Sequence, residues 1–320
     1  MSAIAQLPDL SIVTTLYRSE AFVDEFCRRT MAAAAALGLR FEVIFVNDGS
    51  PDRSADKAIA LSRQHAEIRV IDLSRNFGHH KAIMTGLAHA RGARVLLIDS
   101  DLEEAPEWLS DFWTQMDSTG ADMVYGVQAT RKGGLFERIT GAIFYATFNL
   151  MLEFPLPKNV VTARLMTSRY VAQLVRHRDR EVCLAALWVI TGFTQVGIPV
   201  TKRDRESAPT YGFADRVAVM VNAITSFSSK PLVYVFYLGC AIMALASVAG
   251  LRLMWRVFAH GVAVSGWPSL IVSIWFLGGT TIFCIGVIGM YVSKVFMETK
   301  DRPYTIVRSY HPPTMERHDD

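Results

Sequence analysis

The sequence predicts an α/β domain with a doubly wound, mainly parallel sheet, followed by a two-helix transmembrane hairpin. Three observations carry that expectation. Between residues 11 and 127, short continuous apolar runs alternate with helix-length stretches, the pattern of buried parallel strands and crossover helices. Two later windows carry no charge over lengths that cross a bilayer, which takes about 20 apolar residues. The composition is 51% hydrophobic and only 20% charged, with a mean hydropathy of +0.24. That balance excludes a disordered or collagen-like chain and is high for a purely soluble one.

The strands expected from the apolar runs are Ser11–Leu16, Phe41–Val46, Arg69–Leu73, Val95–Ile98 and Asp122–Val127. The helices between them are Ala21–Leu37, Asp56–Gln64, Lys81–Ala90 and Glu107–Met116. In such sheets ligands bind beyond the carboxyl ends of the strands, so polar residues there carry the function.

The two spans are Leu232–Leu251 and Ser269–Val292. Aromatic residues near their ends (Tyr234, Trp255, Trp267, Tyr291) suit the membrane interface. Gly278, Gly279, Gly286 and Gly289 would let the two helices approach closely. The connecting loop, Arg252–Pro268, is short, and basic residues are denser on the outer flanks, at Arg216, Lys230, Lys294, Lys300, Arg302 and Arg308. By the positive-inside rule the large domain and the tail are cytoplasmic. Leu135–Phe154 and Asp215–Phe227 read either as helices lying in the headgroup layer or as ordinary helices packed on a core. The start, MSAIAQLPDLSIV, has no basic stretch leading into an apolar core, so no cleaved signal peptide is expected.

Net charge is +3, too small to argue for nucleic acid. Cys27, Cys183, Cys240 and Cys284 lie far apart, which offers neither a zinc site nor a disulfide framework and suits a reducing compartment. Strand two closes with Asn47-Asp48-Gly49-Ser50. Asp48 there is either part of an Asx turn or a carboxylate that accepts hydrogen bonds from a nucleotide's base or ribose. Strand four closes with Asp99-Ser100-Asp101-Leu102-Glu103. In extended backbone residues two apart share a face, so Asp99 and Asp101 point together with Glu103 nearby. Such acids repel unless a metal cation or a basic group neutralises them; they read either as a solvated acidic loop or as hard oxygens that suit Mg²⁺ or Mn²⁺ bridging a diphosphate. Basic groups that an anionic substrate would need recur at Arg75, His79, His80, Lys81, Arg131, Lys132, Arg138, Arg164, Lys202, Arg203 and Arg205. His79-His80 has no further metal-ligand spacing and is assigned no metal. A Ser-His-Asp order, a GxSxG elbow, a GxxxxGK phosphate loop and a GxGxxG fingerprint are all missing.

Taken in order, residues 11–20, 46–52, 74–92, 98–107, 123–134, 163–166, 227–232 and 298–308 resemble the family-two glycosyltransferases of the GT-A fold. The branch is the one typified by dolichyl-phosphate mannose synthase and bacterial polyprenyl-phosphate (undecaprenyl-phosphate) glycosyltransferases, and the resemblance covers nearly the whole chain. It implies that Thr15, Tyr17, Glu20, Asp48 and Asp99 bind a nucleotide sugar. Asp101 and Glu103 would hold the metal, with Asp101 catalytic through it. Arg131 would be catalytic as the acceptor-phosphate clamp, with Lys132, Arg138 and Arg164 beside it. Residues Tyr304–Arg308 would add a strand near the sheet, on this or a neighbouring subunit, which would make a homo-oligomer. Three segments depart from the family pattern. A P-x-Y-N start reads Thr15-Leu16-Tyr17-Arg18, a G-D-F-R-L segment reads Val161-Thr162-Ala163-Arg164-Leu165, and an R-x-x-G-x-S/T-x-Y stretch reads Arg205 to Tyr211 without its glycine. The Q-x-x-R-W motif of processive polysaccharide synthases is absent.

The resulting expectation is an inverting enzyme of the inner membrane, crossing it more than once. It would move one sugar from a nucleotide-diphosphate sugar to polyprenyl phosphate at the cytoplasmic face, supplying a lipid-linked sugar for cell-envelope glycan modification. Rival readings are a glycolipid hydroxyl as acceptor, or a silent GT-A-like scaffold or flippase partner. The expected organisation is a catalytic domain over 1–212, with 135–154 as an interfacial helix within it. An amphipathic helix over 213–230, two spans within 231–293 and a cytoplasmic tail over 294–320 follow.

Overall fold

A computed structural model describes residues 7–128, 151, 157, 159–179, 182–202, 221, 224–260 and 266–312. The chain divides into two compact units. One comprises Met1–Arg138, Leu156–Thr210 and Arg302–Asp320, the other Ile139–Pro155 and Tyr211–Asp301.

The first unit is built on an eight-stranded sheet. Its strands are β1 (Leu10–Leu16), β2 (Phe41–Asn47), β3 (Ile68–Leu73), β4 (Arg94–Leu97), β5 (Met123–Gln128), β6 (Val160–Thr167), β7 (Gln195–Val200) and β8 (Val307–His311). They lie in the order β7-β5-β6-β4-β1-β2-β3-β8. The helices are α1 (Val23–Ala36), α2 (Ser54–Gln64), α3 (His79–Ala88), α4 (Trp108–Thr119), α5 (Ser168–Leu174) and α6 (Leu184–Ile190). Every element expected up to residue 128 is present, with ends shifted by a few residues. The agreement follows from burial: β1 and β3 are buried along their whole length, and their Leu, Ile, Val and Thr residues outnumber the polar Ser11, Arg69 and Asp72.

Three crossovers make β4, β1, β2 and β3 parallel, and β7 is parallel to β5. The sheet becomes mixed at β6, which runs antiparallel to both β4 and β5. Because Leu97 pairs with Arg164, the start of β6 lies beside the carboxyl end of β4. The end of β7 emerges at that same edge. Neither β6 nor β7 is among the expected strands. The β-branched run Val160-Val161-Thr162 was the available signal for β6, whereas β7 carries Gly197 and Pro199, which a sheet tolerates on an edge strand.

The core fills both faces of this sheet, with Phe26, Phe45, Phe112, Ile12 and Leu16 fully buried. Helix α3 approaches unusually closely. A Cβ on Gly86 would lie 2.5 Å from Val13 Cγ1 and 2.8 Å from Val46 Cγ2, so only glycine admits the helix there. The tail strand forms at Val307–His311, slightly later than expected, and pairs antiparallel with β3 of its own chain. Arg69 donates to the Tyr310 hydroxyl at 3.0 Å, and Thr85 and Thr305 hydroxyls are 2.8 Å apart.

The second unit contains α7 (Lys230–His260) and α8 (Trp267–Thr299), both long and apolar enough to cross a membrane. Their large apolar side chains face outward: Leu245 is 71% exposed, Ile282 75% and Trp275 78%. A soluble core helix would bury such residues. Helix α7 continues nine residues beyond the expected end of the first span, because nothing between Arg252 and His260 breaks a helix. The expected role of the glycines is not seen. Among the described residues, a Cβ on Gly278, Gly279, Gly286 or Gly289 would meet nothing within 4 Å, so these positions are not packed against the partner helix. The expected helix over 135–154 lies outside the described residues save Met151. Of the one over 213–230, residue 221 and residues 224–227 are helical.

Candidate active site

At the carboxyl edge of β1 and β2, Asp48 is nearly fully buried. Its carboxylate accepts from the backbone N–H groups of Phe77 at 2.7 Å and Gly78 at 3.0 Å, tying the end of β2 to the start of α3. Burial pushes its pKa up, against the pull of those two hydrogen bonds and the charges of His79 and Arg75. The turn reading of this segment also holds: Asn47 Oδ1 accepts from the Ser50 N–H at 3.2 Å. Gly49 takes φ +60°, and an added Cβ would sit 2.5 Å from the Arg75 carbonyl carbon and the Asn76 nitrogen.

Thr15, the last residue but one of β1, has its hydroxyl 3.0 Å from His79 Nδ1. Tyr17 beyond it is half-exposed, and Glu20 accepts from the Arg53 N–H at 3.2 Å. Asp52 closes the same loop, accepting from Ser50 Oγ at 2.6 Å and the Glu20 N–H at 3.0 Å.

The acidic turn follows β4. The Ser100 hydroxyl donates to the Thr15 carbonyl at 2.9 Å, locking this turn to the end of β1. Asp101 Oδ1 accepts from the Glu103 N–H at 3.1 Å, and Leu102 between them takes φ +61°, a conformation uncommon outside glycine. Asp99 Oδ1 lies 3.4 Å from His79 Nε2. Burial raises the Asp99 pKa, but the His79 hydrogen bond and charge, the Thr162 hydroxyl and Lys202 outweigh it and hold the carboxyl below its ordinary value.

Two residues join this cluster that the sequence reading did not single out for it. Glu104 is fully buried, with Oε1 accepting from the Thr162 N–H at 2.9 Å and from Lys202 Nζ at 3.0 Å. Lys202 Nζ also lies 3.8 Å from Glu103 Oε2. His79 appeared only among dispersed basic groups. Its capping glycine was the available signal, because Gly78 starts α3 at the sheet's carboxyl edge.

Arg164 requires a correction. Its guanidinium is fully buried, donates to the carbonyls of Thr162 at 2.9 Å and Val161 at 2.7 Å, and stacks on Trp188. Burial lowers its pKa to about 9. A side chain enclosed in this way supports β6 from within and is not placed to meet an acceptor phosphate. Arg131, Lys132 and Arg138, the other expected acceptor residues, lie outside the described residues.

For a divalent ion, Asp101 and Glu103 offer two hard oxygen donors on one tight turn. Mg²⁺ is commonly held by one or two carboxylates with substrate phosphates completing its shell. The donor set fits that arrangement. Among the described residues no group of three or more His, Cys, Asp or Glu forms an all-protein cage.

Comparison with known proteins places this arrangement in a family. The model of glycosyl transferase family 2 matches residues 11–174. A Mycobacterium tuberculosis protein described as a glycosyltransferase is 53% identical over 93% of this chain and 87% of its own length. An uncharacterized glycosyltransferase of Synechocystis is 32% identical over 93% of this chain and 94% of its own. An Escherichia coli protein, named a prophage bactoprenol glucosyl transferase homolog, is 29% identical over 93% of this chain and 98% of its own.

Proposed function

Because the chain belongs to glycosyl transferase family 2, we propose that it is the kind of glycosyltransferase that moves one sugar from a nucleoside-diphosphate sugar to polyprenyl phosphate at a membrane. The observation that carries the donor half is the meeting of Thr15, His79 and Asp99 at the carboxyl edge of the sheet, beside Asp101 and Glu103. The acceptor half is supported by the name of the Escherichia coli relative and by the outward-facing apolar helices α7 and α8.

The residues take distinct tasks. Thr15, Tyr17, Glu20 and Asp48 line the nucleoside end, and Asp99 carries the site on towards the diphosphate. Asp101 and Glu103 would hold Mg²⁺ or Mn²⁺, which when bound acts as a Lewis acid on the leaving diphosphate. A phosphate monoester has a second pKa of roughly 6, so the acceptor is already largely ionised near neutral pH and needs no general base. That accords with Thr162 standing where the wider family carries an acid. The chain's remaining task is to hold an anionic acceptor beside an anionic donor, which calls for cations. Arg131, aided by Lys132 and Arg138, is assigned that role. Direct displacement by the phosphate oxygen inverts the anomeric centre. Catalysis takes place on the cytoplasmic side, with α7 and α8 spanning the inner membrane and the product feeding cell-envelope glycan modification.

Incubating the full-length protein with undecaprenyl phosphate and a panel of nucleotide sugars, followed by mass spectrometry of the lipids, tests the reading. A lipid gaining one sugar mass from one donor supports it. Transfer only to a hydroxyl-bearing glycolipid, or to no lipid, overturns it.

A further inference from the structure

Glu104 and Lys202 form an ion pair to which the donor reading assigns no task. Glu104 is completely buried, and its Oε2 has no hydrogen-bond partner among the described residues. Burial and the charge of Asp99 raise its pKa, while Lys202 lowers it. Buried ion pairs of this kind are weak sources of stability, since apolar residues of similar volume commonly do as well. Its location is more informative than its energy. Lys202 lies two residues past the end of β7, and its ammonium reaches Glu104 at 3.0 Å and Glu103 at 3.8 Å. Glu104 in turn accepts from the Thr162 N–H, and the Thr162 hydroxyl faces Asp99. The turn between Asp101 and Glu104 is gripped from two sides. Asp101 holds the Glu103 N–H from within, and Lys202 holds both glutamates from the β7 side.

We propose that Lys202 is a positioning residue that fixes the Glu103 carboxylate directly, and through Glu104 the turn that carries Asp101, for the donor diphosphate and its metal. This rests on the donor reading above. A group that orients a ligating carboxylate without touching substrate typically changes metal affinity about 10- to 100-fold when removed.

The test is Mn²⁺ binding by the full-length protein in detergent, followed by electron paramagnetic resonance in the presence of UDP or GDP. Lys202→Met should weaken nucleotide-dependent Mn²⁺ binding at least about tenfold, and Lys202→Arg should stay within a few-fold of wild type. Lys202→Met strands a buried carboxylate and could unfold for that reason alone, so the double variant Lys202→Met/Glu104→Gln is measured beside it. The double variant should melt close to wild type yet still bind Mn²⁺ weakly. Wild-type affinity in the double variant, or in a folded Lys202→Met, overturns the inference while leaving the donor reading intact. A wild-type chain that binds Mn²⁺ with neither nucleotide overturns both.

Discussion

His79 Nε2 lies 3.4 Å from Asp99 Oδ1, joining the first residue of α3 to the carboxyl end of β4. The other ring nitrogen meets Thr15, so one imidazole bridges the end of β1 and the turn that follows β4. Burial pulls the His79 pKa down, but the hydrogen bond and charge of Asp99, then the charges of Asp48 and Glu104, carry it above its ordinary value of 6.5.

That shift has a defined sign. A raised histidine pKa adds stability that is complete below 6.5 and is lost as pH rises through the folded value. The lowered Asp99 pKa adds stability that is complete above 3.8 and is lost as pH falls through its folded value. His79→Gln should therefore lower the melting temperature most between those two pH values. The partly exposed pair is worth up to about 1 kcal/mol, or a few degrees. Thermal melts of both proteins from pH 4 to 9 check this, and a difference that grows above pH 8 would refute the assignment.

Asp101→Asn should reduce turnover at least about 100-fold, by analogy with the loss of one charge-stabilising group. EDTA should abolish activity reversibly, with recovery on adding Mg²⁺ or Mn²⁺. Full activity of the wild type in chelator would remove the metal from the mechanism.

Gly49→Ala should destabilise the protein by about 2 kcal/mol or more, because φ +60° and the approach of Arg75 and Asn76 leave no room for a Cβ. Melting by calorimetry measures it. A variant as stable as wild type would mean that the loop before α3 can withdraw from the Asp48 turn.

Arg131→Ala should lose most activity, chiefly through a raised KM for the lipid acceptor. Thr162→Ala should keep most of it, losing only the hydroxyl beside Asp99, worth about 1 kcal/mol. Steady-state kinetics separate the two, and NMR of the product should show inversion at the anomeric carbon. Retained configuration, or unchanged acceptor kinetics in Arg131→Ala, would sink the phosphate-nucleophile account.

A cysteine replacing Ala263 should react with an impermeant maleimide applied to intact cells, and one replacing Ser309 should not. The opposite labelling pattern would reverse the proposed orientation of α7 and α8.

Local sequence sufficed wherever burial is set by an element's own face. β1 to β5, α1 to α4 and the two apolar helices were legible because runs such as Leu10–Leu16 are buried throughout and period and length alone reveal them. The acids of the 99–103 turn were legible for the same reason, being adjacent in the chain. What the sequence could not supply is which distant residues meet those acids. Tertiary structure decided that β6 inserts antiparallel between β4 and β5, bringing Thr162 beside Asp99 and burying Arg164. It also carried the end of β7 to the same edge, placing Lys202 on Glu104. These contacts depend on strand order and direction, which are set by how whole elements pack and leave no periodic mark on the residues that touch.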